Sequence, residues 1–134
     1  PKNPVFLYVS DGFQKPNPFE PDMVVSIDEV IDQKTDALWL LESQIESAWA
    51  TGNFEKIIPV PKDGPEREAR RKAFRKRFER RAESVADKYR SKLIELYGEE
   101  KGKKIRYAEA FELCEYGSRA SPEKLRQLFP FFGR

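Results

Sequence analysis

Few kinds of side chain in this sequence are suited to chemistry. Its 134 residues include no histidine and one cysteine, Cys114, against 25 lysines and arginines and 23 aspartates and glutamates. Without histidine, the chain cannot build a Ser-His-Asp triad, a Cys-His pair or a histidine-bearing zinc site from its own residues. The chemistry left to it is that of carboxylates and of positive charge.

Two groups of carboxylates have spacings that suggest a function. Asp28, Asp32 and Asp36 recur at every fourth position and could line one face of a helix. Acidic residues in the first turns of a helix usually serve the helix dipole and solubility, so we favour that interpretation over a metal or acid-base role. Glu109 and Glu112 lie near the aromatic residues Tyr107 and Phe111 in an apolar extended segment, where the fold could hold a carboxylate for a functional role.

Positive charge is concentrated in one segment. Residues 65–97 carry 12 basic and 6 acidic side chains, whereas residues 1–64 carry 5 basic and 11 acidic ones. We favour a solvated helix face whose counter-charge is the acidic first half of the chain, with phosphate binding as the alternative. The segment lacks the interleaved aromatic residues of RNA-binding and single-strand-binding modules. The basic candidates are Arg70, Arg71, Arg75, Arg77, Arg80 and Arg81.

Three segments are predicted to be extended. Residues 5–9 form a continuous apolar run that predicts a buried strand, which needs cover on both faces and paired neighbours on its edges. The chain offers few other strands, so we expect part of that sheet to be missing. Residues 23–25 predict a very short strand, and residues 105–113 alternate as a strand does.

Three helices are predicted. Ser26 and Glu29 match a capping box that would start a helix with apolar positions from 27 to 49 and an end near Gly52. A second helix should run from Pro65 to about residue 97, where Gly98 would stop it. Its narrow apolar seam suggests that it protrudes or packs against a partner. A last short helix should open at Ser121.

These elements predict one unit over residues 1–134 of α+β class, mainly helical, with two long helices and a few short strands. No window approaches 18 consecutive apolar residues, so no membrane span is expected. One cysteine and the absence of a signal-peptide pattern favour a cytoplasmic location. Because the sequence starts at Pro1 and its only methionine is Met23, we expect a processed chain or a piece of a longer one.

Several segments together resemble a known family. They are residues 21–34 (PDMVVSIDEVIDQK), Ala37-Leu38, Ser43-Gln44 and residues 107–111 (YAEAF). They are similar to the C-terminal signature of the LmbE-like or PIG-L family, which are zinc-dependent N-acetylglucosaminyl deacetylases. The resemblance implies that the chain is the C-terminal part of a larger Rossmann-like α/β protein, one of a bacterial branch. It would pack on the catalytic core and shape the substrate entrance or subunit contacts.

The resemblance also implies how function is divided. The family's A-H-P-D-D-E and H-x-x-H motifs are absent, and Glu42 stands where the family has histidine. The chain is therefore expected to hold no catalytic or metal-binding residue and to be inactive alone, with zinc in the upstream part of the parent hydrolase. Its partner would be that upstream region or another chain, and we expect an oligomer. The substrate-proximal candidates are Tyr107, Glu109, Ser43 and Gln44.

Two other interpretations stay open. The chain could be an autonomous interaction module whose basic helix, at about residues 65–97, binds an acidic protein or nucleic acid, nucleic acid being the less favoured partner. It could also be a degenerate family member that has lost its metal site and kept the scaffold. Salt-sensitive binding would distinguish the first, and the upstream coding sequence would distinguish the second.

Overall fold

The computed structural model describes residues 3–10, 18–41, 59–129 and 132. Within these ranges the chain forms three strands and five helices, which confirms the α+β class. In chain order they are β1 (Leu7–Val9), β2 (Met23–Ser26), α1 (Ile31–Trp39), α2 (Gly64–Lys88), α3 (Arg90–Tyr97), α4 (Glu99–Lys104), β3 (Ala108–Leu113) and α5 (Pro122–Leu128). Two compact units result, one of Pro1–Asp28 with Ala82–Arg134 and one of Glu29–Arg81.

The sheet of the first unit is antiparallel, with the order β1-β3-β2. The last strand in the sequence is therefore the central one. Its small residues Ala108 and Ala110 are 1% and 7% exposed, and Ala110 lies opposite Val24 of β2, which is fully buried. The strands predicted at residues 23–25 and 105–113 are confirmed, with β2 one residue longer and β3 starting at Ala108.

At residues 5–9 the predicted strand is present, but the prediction that it is buried is wrong. A strand does form, but it is the edge strand β1, in which Leu7 and Tyr8 are half-buried and Val9 is exposed. The physical reason is the topology: β3 takes the central place and pairs on both sides, which leaves β1 with one neighbour among the described residues.

The core of the first unit lies around the sheet and α3. Leu93 and Ala86 are fully buried there, and Tyr97 is packed edge-on against Phe132 with ring centroids 5.0 Å apart. Helix α4 packs very closely on α3 because Gly102 has no side chain. A Cβ atom at Gly102 would lie 2.6 Å from the Cα of Ile94.

The second unit is built on aromatic contacts. The ring of Trp39, buried on α1, meets Phe74 of α2 at 5.5 Å between centroids, and Phe74 meets Phe78 at 4.7 Å. The buried hydroxyl of Thr35 donates to the carbonyl of Ile31 at 2.9 Å, so its polar group is satisfied within the helix.

The first helix is shorter than predicted. It begins at Ile31 and ends at Trp39, where Leu40 and Leu41 donate to carbonyls three residues back. The predicted continuation to residue 49 and the end at Gly52 lie outside the described residues. The apolar spacing in the sequence continues through Leu41 and therefore gave no sign that the helix ends at Trp39.

The predicted capping box at Ser26 and Glu29 is wrong. Ser26 is the last residue of β2, and its hydroxyl accepts a long hydrogen bond of 3.4 Å from the amide of Asp28. The helix N-cap is Val30, without a side-chain cap. Because Ile27 still pairs with β3 through a 2.9 Å bond to the carbonyl of Tyr107, the chain is held extended to that point.

The predicted second helix is two helices. α2 and α3 are separated at Tyr89, whose backbone angles of −111° and 31° leave the helical region. The start near Pro65 and the end at Gly98 are confirmed, and Gly98 has a φ of +82°, which glycine adopts without strain. The cap at Ser121 is also confirmed, since its hydroxyl accepts from the amide of Lys124 at 3.2 Å.

Candidate functional sites: the Asp28 junction and the basic helix

Asp28 joins two of the segments that carry the family resemblance, residues 21–34 and 107–111. Its carboxylate accepts the amide of Tyr107 at 2.6 Å and the amide of Arg106 at 3.1 Å from each oxygen. The backbones of Ile27 and Tyr107 are bonded just beside it. We call this group, made of Ile27, Asp28, Arg106 and Tyr107, the Asp28 junction.

The carboxylate series predicted on one helix face is therefore wrong for Asp28. This residue precedes α1 and faces the turn before β3, because the sheet pairing of Ile27 orients it there. Asp32 and Asp36 do lie on α1, where each carboxylate pairs with an arginine of α2. The three carboxylates thus have separate structural tasks.

The two substrate-proximal candidates in the described part of the chain lie next to this junction. Tyr107 is 8% exposed, and the guanidinium of Arg106 stacks on its ring at 4.9 Å while also pairing with Glu83 at 2.7 Å. Glu109 is half-buried on β3, opposite Val25. Since side chains two apart in an extended chain project to the same side, Tyr107 and Glu109 share a side of the strand.

The other two candidates of that group, Ser43 and Gln44, lie outside the described residues. Their relation to Tyr107 and Glu109 stays a prediction.

Tyr97 makes a specific hydrogen bond to the sheet that the sequence analysis did not predict. Its hydroxyl accepts the amide of Ser26 at 2.9 Å and so closes the outer edge of β2. Burial raises the pKa of Tyr97 above its ordinary value. The sequence did contain a signal for a buried Tyr97: it directly precedes Gly98, which ends the helix, and it lies at a position where the apolar seam predicts an inward side chain.

Two of the six basic candidates pair with carboxylates of the second unit. Arg71 pairs with Asp36 at 2.8 Å, and Arg75 pairs with Asp32 and, at 2.9 Å, with Glu79. These carboxylates raise the pKa of both arginines, chiefly through the hydrogen bonds that Asp36 accepts from Arg71 and Glu79 accepts from Arg75. The acidic first half of the chain therefore supplies counter-charge to this part of α2.

Two more arginines donate hydrogen bonds to backbone carbonyls. Arg70 donates to the carbonyl of Pro59 at 2.6 Å, and Arg67 donates to that of Pro61 at 2.8 Å. Both bonds tie the first turns of α2 to the segment before it.

A different face of α2 carries exposed positive charge. Lys72, Lys76 and Arg80 recur every fourth residue, so they form one row along the helix with about 6 Å between steps. All three are exposed, and within the described residues no carboxylate pairs with them. We call this row the basic ridge. Arg77 and Arg81, the remaining basic candidates, are also exposed on α2.

Two clefts lined by described residues are small. One of about 230 Å³ on the second unit is lined by Asp36, Glu68 and Arg71 among others, and one of about 90 Å³ on the first unit is lined by Lys92 and Glu95 among others. Ordinary ligand sites enclose about 300 to 1,000 Å³. Neither cleft therefore has the size of a pocket for a complete substrate.

Two classes of feature are absent from the described ranges. Residues 3–10, 18–41, 59–129 and 132 contain no group of three carboxylate, cysteine or histidine side chains placed to hold a metal ion. Among the same residues, no helix is long and apolar enough to cross a membrane.

Comparisons with known proteins yield no relative: no protein family, no curated protein and no solved structure matches the sequence. The resemblance to the LmbE-like deacetylases therefore stands on the short motifs quoted above. In the structure, residues 23–28 and 107–111 of those motifs lie in the sheet and the Asp28 junction, whereas Ala37 and Leu38 lie on α1.

Proposed function

We propose that this chain is the C-terminal, non-metal-binding part of a protein related to the LmbE-like N-acetylglucosaminyl deacetylases. In that protein it packs on an upstream Rossmann-like core and shapes the substrate entrance or subunit contacts. One observation carries the proposal: the two longest segments of the resemblance, residues 21–34 and 107–111, meet. Asp28 and Tyr107 are 79 positions apart in the sequence, yet they are bonded at 2.6 Å, and the flanking strands pair.

The pairing supports the proposal because each motif has residues suited to its place. The first segment supplies an apolar strand, β2, followed by the carboxylate of Asp28. The YAEAF segment supplies alanines, which let a central strand be covered closely.

The residues of this chain do not fit a zinc site. The sequence has no histidine, and the described residues offer no suitable carboxylate and cysteine cluster. In the proposal, zinc ligands and the groups that act on the acetamide belong to the upstream part. We assign no step of deacetylation to this chain, and Tyr107 and Glu109 are its candidates for contact with the substrate.

The test uses the complete native open reading frame. We expect the full protein to contain about one zinc per chain and to release acetate from N-acetylglucosamine-containing substrates, whereas residues 1–134 alone should do neither. Glu109→Gln should lower kcat/KM by about tenfold or more without a change in thermal midpoint. The matched control is Glu112→Gln on the same strand, which should leave kcat/KM within about twofold of the wild-type value.

Either of two results would contradict the proposal. One is an open reading frame without upstream H-x-x-H and A-H-P-D-D-E motifs. The other is a full protein that binds zinc but releases no acetate from any N-acetylated sugar substrate.

The basic ridge supports a second candidate function, an interaction module for an acidic protein surface or nucleic acid. Its three exposed cations lie at one-turn spacing without an acidic partner in the described part of the chain. Electrostatic binding of this kind weakens steeply with salt. Fluorescence anisotropy with a labelled DNA duplex should then show affinity falling about tenfold or more between about 50 and 200 mM salt. A Lys72→Ala, Lys76→Ala, Arg80→Ala variant should not bind, and equal binding by that variant would exclude the ridge.

A further inference from the structure

The backbone groups at the two outer edges of the sheet have different surroundings. On β2, Met23 and Val25 lie opposite Phe111 and Glu109 and exchange hydrogen bonds with β3, so the amide of Ser26 points away from the sheet. That outward amide donates to the hydroxyl of Tyr97 at 2.9 Å. Helix α3 therefore covers the β2 edge.

On β1, the hydrogen-bond pattern shows which backbone groups face outward. Phe6 accepts the amide of Cys114 at 2.9 Å, directly opposite it in the register. Bonded and non-bonded pairs alternate along an antiparallel pair, so Tyr8 also bonds to β3 while the amides and carbonyls of Leu7 and Val9 point away from it. No strand in the described ranges pairs with these outward groups.

The side chains of this edge lack the usual protection. β1 has three residues, and such a short length gives an edge some protection. Lysine, proline or a bulge normally adds to it, because an open apolar edge recruits other strands. Residues 5–9 (VFLYV) include none of these and no charge. Phe6 is 50% exposed and Val9 is 59% exposed. Because they project to opposite faces of the strand, exposed apolar surface lies on both faces at this edge.

We propose that β1 is an internal strand in the intact protein, and that its outer edge pairs with an extended, apolar strand from the upstream part of the same polypeptide. This inference rests on the proposed function, since that function places an upstream domain on the chain. The incoming strand would bond to the amides and carbonyls of Leu7 and Val9 and cover their apolar side chains.

The short length of β1 favours a tethered strand over a second copy of the chain. Stable protein-protein interfaces bury about 1,200 to 2,000 Å² in total, which one added strand on a three-residue edge does not approach. A strand on the same polypeptide meets the edge at an effective concentration in the millimolar range. A small contact then suffices.

Amide hydrogen exchange tests the proposal at single residues. In the intact protein, the amides of Leu7 and Val9 should exchange at least about 100-fold more slowly than in residues 1–134 alone. The amide of Tyr8, which faces β3, should be protected in both. Exchange of Leu7 and Val9 at equal rates in both proteins would overturn the inference.

Proline variants give an independent readout. Val9→Pro removes one outward amide, so it should lower the thermal midpoint of the intact protein by about 4 °C or more and that of residues 1–134 by less than about 1 °C. Val9→Ala keeps the amide and controls for the side chain: it should lower the midpoint of the intact protein by less than Val9→Pro does, and it should leave residues 1–134 alone nearly unchanged. Tyr8→Pro removes an inward amide and should destabilise both. Equal, small effects of Val9→Pro in both proteins would refute the pairing.

The outcomes separate this inference from the proposed function. Free exchange at Leu7 and Val9 in a protein with normal zinc content and acetate release overturns only the strand pairing. Protection that grows with concentration in residues 1–134 alone identifies a second copy as the occupant and also overturns it. An open reading frame that lacks the upstream motifs overturns the proposed function first, before any exchange is measured.

Discussion

Removing the carboxylate of Asp28 should be among the most damaging single changes to the first unit. In Asp28→Ala, the amides of Arg106 and Tyr107 lose their acceptor at once. Beyond the strand ladder itself, the link between the end of β2 and the start of β3 would then depend on the bond from Ile27 to the carbonyl of Tyr107.

The size of the effect follows from the exposure of the two amides. A hydrogen bond to a charged group contributes about 1.5 to 3 kcal/mol. The bond from the Tyr107 amide is short and partly buried, so its loss should cost about 2 kcal/mol. The amide of Arg106 is exposed and water can replace the carboxylate there, which adds about 0.5 kcal/mol. We therefore expect a total loss of about 2 to 3 kcal/mol.

Urea denaturation followed by far-ultraviolet circular dichroism would measure this loss. The control is Asp87→Ala in the same unit, because the Asp87 side chain is 79% exposed and pairs only with Arg90. Its free energy of unfolding should stay within about 0.5 kcal/mol of the wild-type value. Asp28→Asn keeps one acceptor oxygen and should lose about half as much as Asp28→Ala.

The reasoning fails if Asp28→Ala and Asp87→Ala lower the free energy of unfolding equally. It also fails if Asp28→Asn is as damaging as Asp28→Ala, since the remaining oxygen would then be of no use to the amide of Tyr107.

Three further predictions concern the first unit. Gly102→Ala should cost about 1 to 3 kcal/mol of unfolding free energy, because its Cβ would meet the backbone of Ile94 at 2.6 Å, and a chemical melt that matches the wild type would contradict this contact. Burial raises the pKa of Tyr97, so as the pH rises the tyrosine loses its proton in the unfolded state before it does so in the folded state. The stabilisation is therefore complete below the ordinary tyrosine pKa near 10 and is lost as the pH rises through the pKa of the folded state. Thermal melts from about pH 8 to 11 should show this fall in stability, and the fall should be smaller in Tyr97→Phe. Ser121→Ala should cost about 1 kcal/mol through loss of the α5 cap, with Ser84→Ala on exposed α2 as a control that changes little, and equal melts of the two variants would argue against the cap.

Local signals predicted much of the secondary structure. Gly98 and Ser121 marked helix ends through well-defined chemistry, a positive φ and a hydroxyl cap, and both are found where predicted. The apolar runs marked β2 and β3 for the same reason: their composition suits a covered, paired strand. Such features depend on neighbouring residues in the sequence and can be read from it.

What could not be read from the sequence depends on partners far along the chain. Ser26 and Glu29 form a good local capping pattern, but pairing with a strand about 80 residues away takes Ser26 into β2 instead. The role of Asp28 follows from the same pairing, so its spacing with Asp32 and Asp36 was misleading. Glu109 and the basic ridge were accessible as candidates by composition, whereas the cover that Tyr97 gives to β2 requires the packing of α3.

The topology of the sheet also has a consequence for the order of folding during synthesis. β1 and β2 leave the ribosome early, but their shared neighbour β3 starts only at Ala108. At about 5 to 20 residues per second, β2 waits roughly 4 to 16 s for its partner. Throughout that interval β2 cannot pair with its neighbour β3, so folding of the first unit should depend on chaperones more than folding of a sheet of sequential hairpins would.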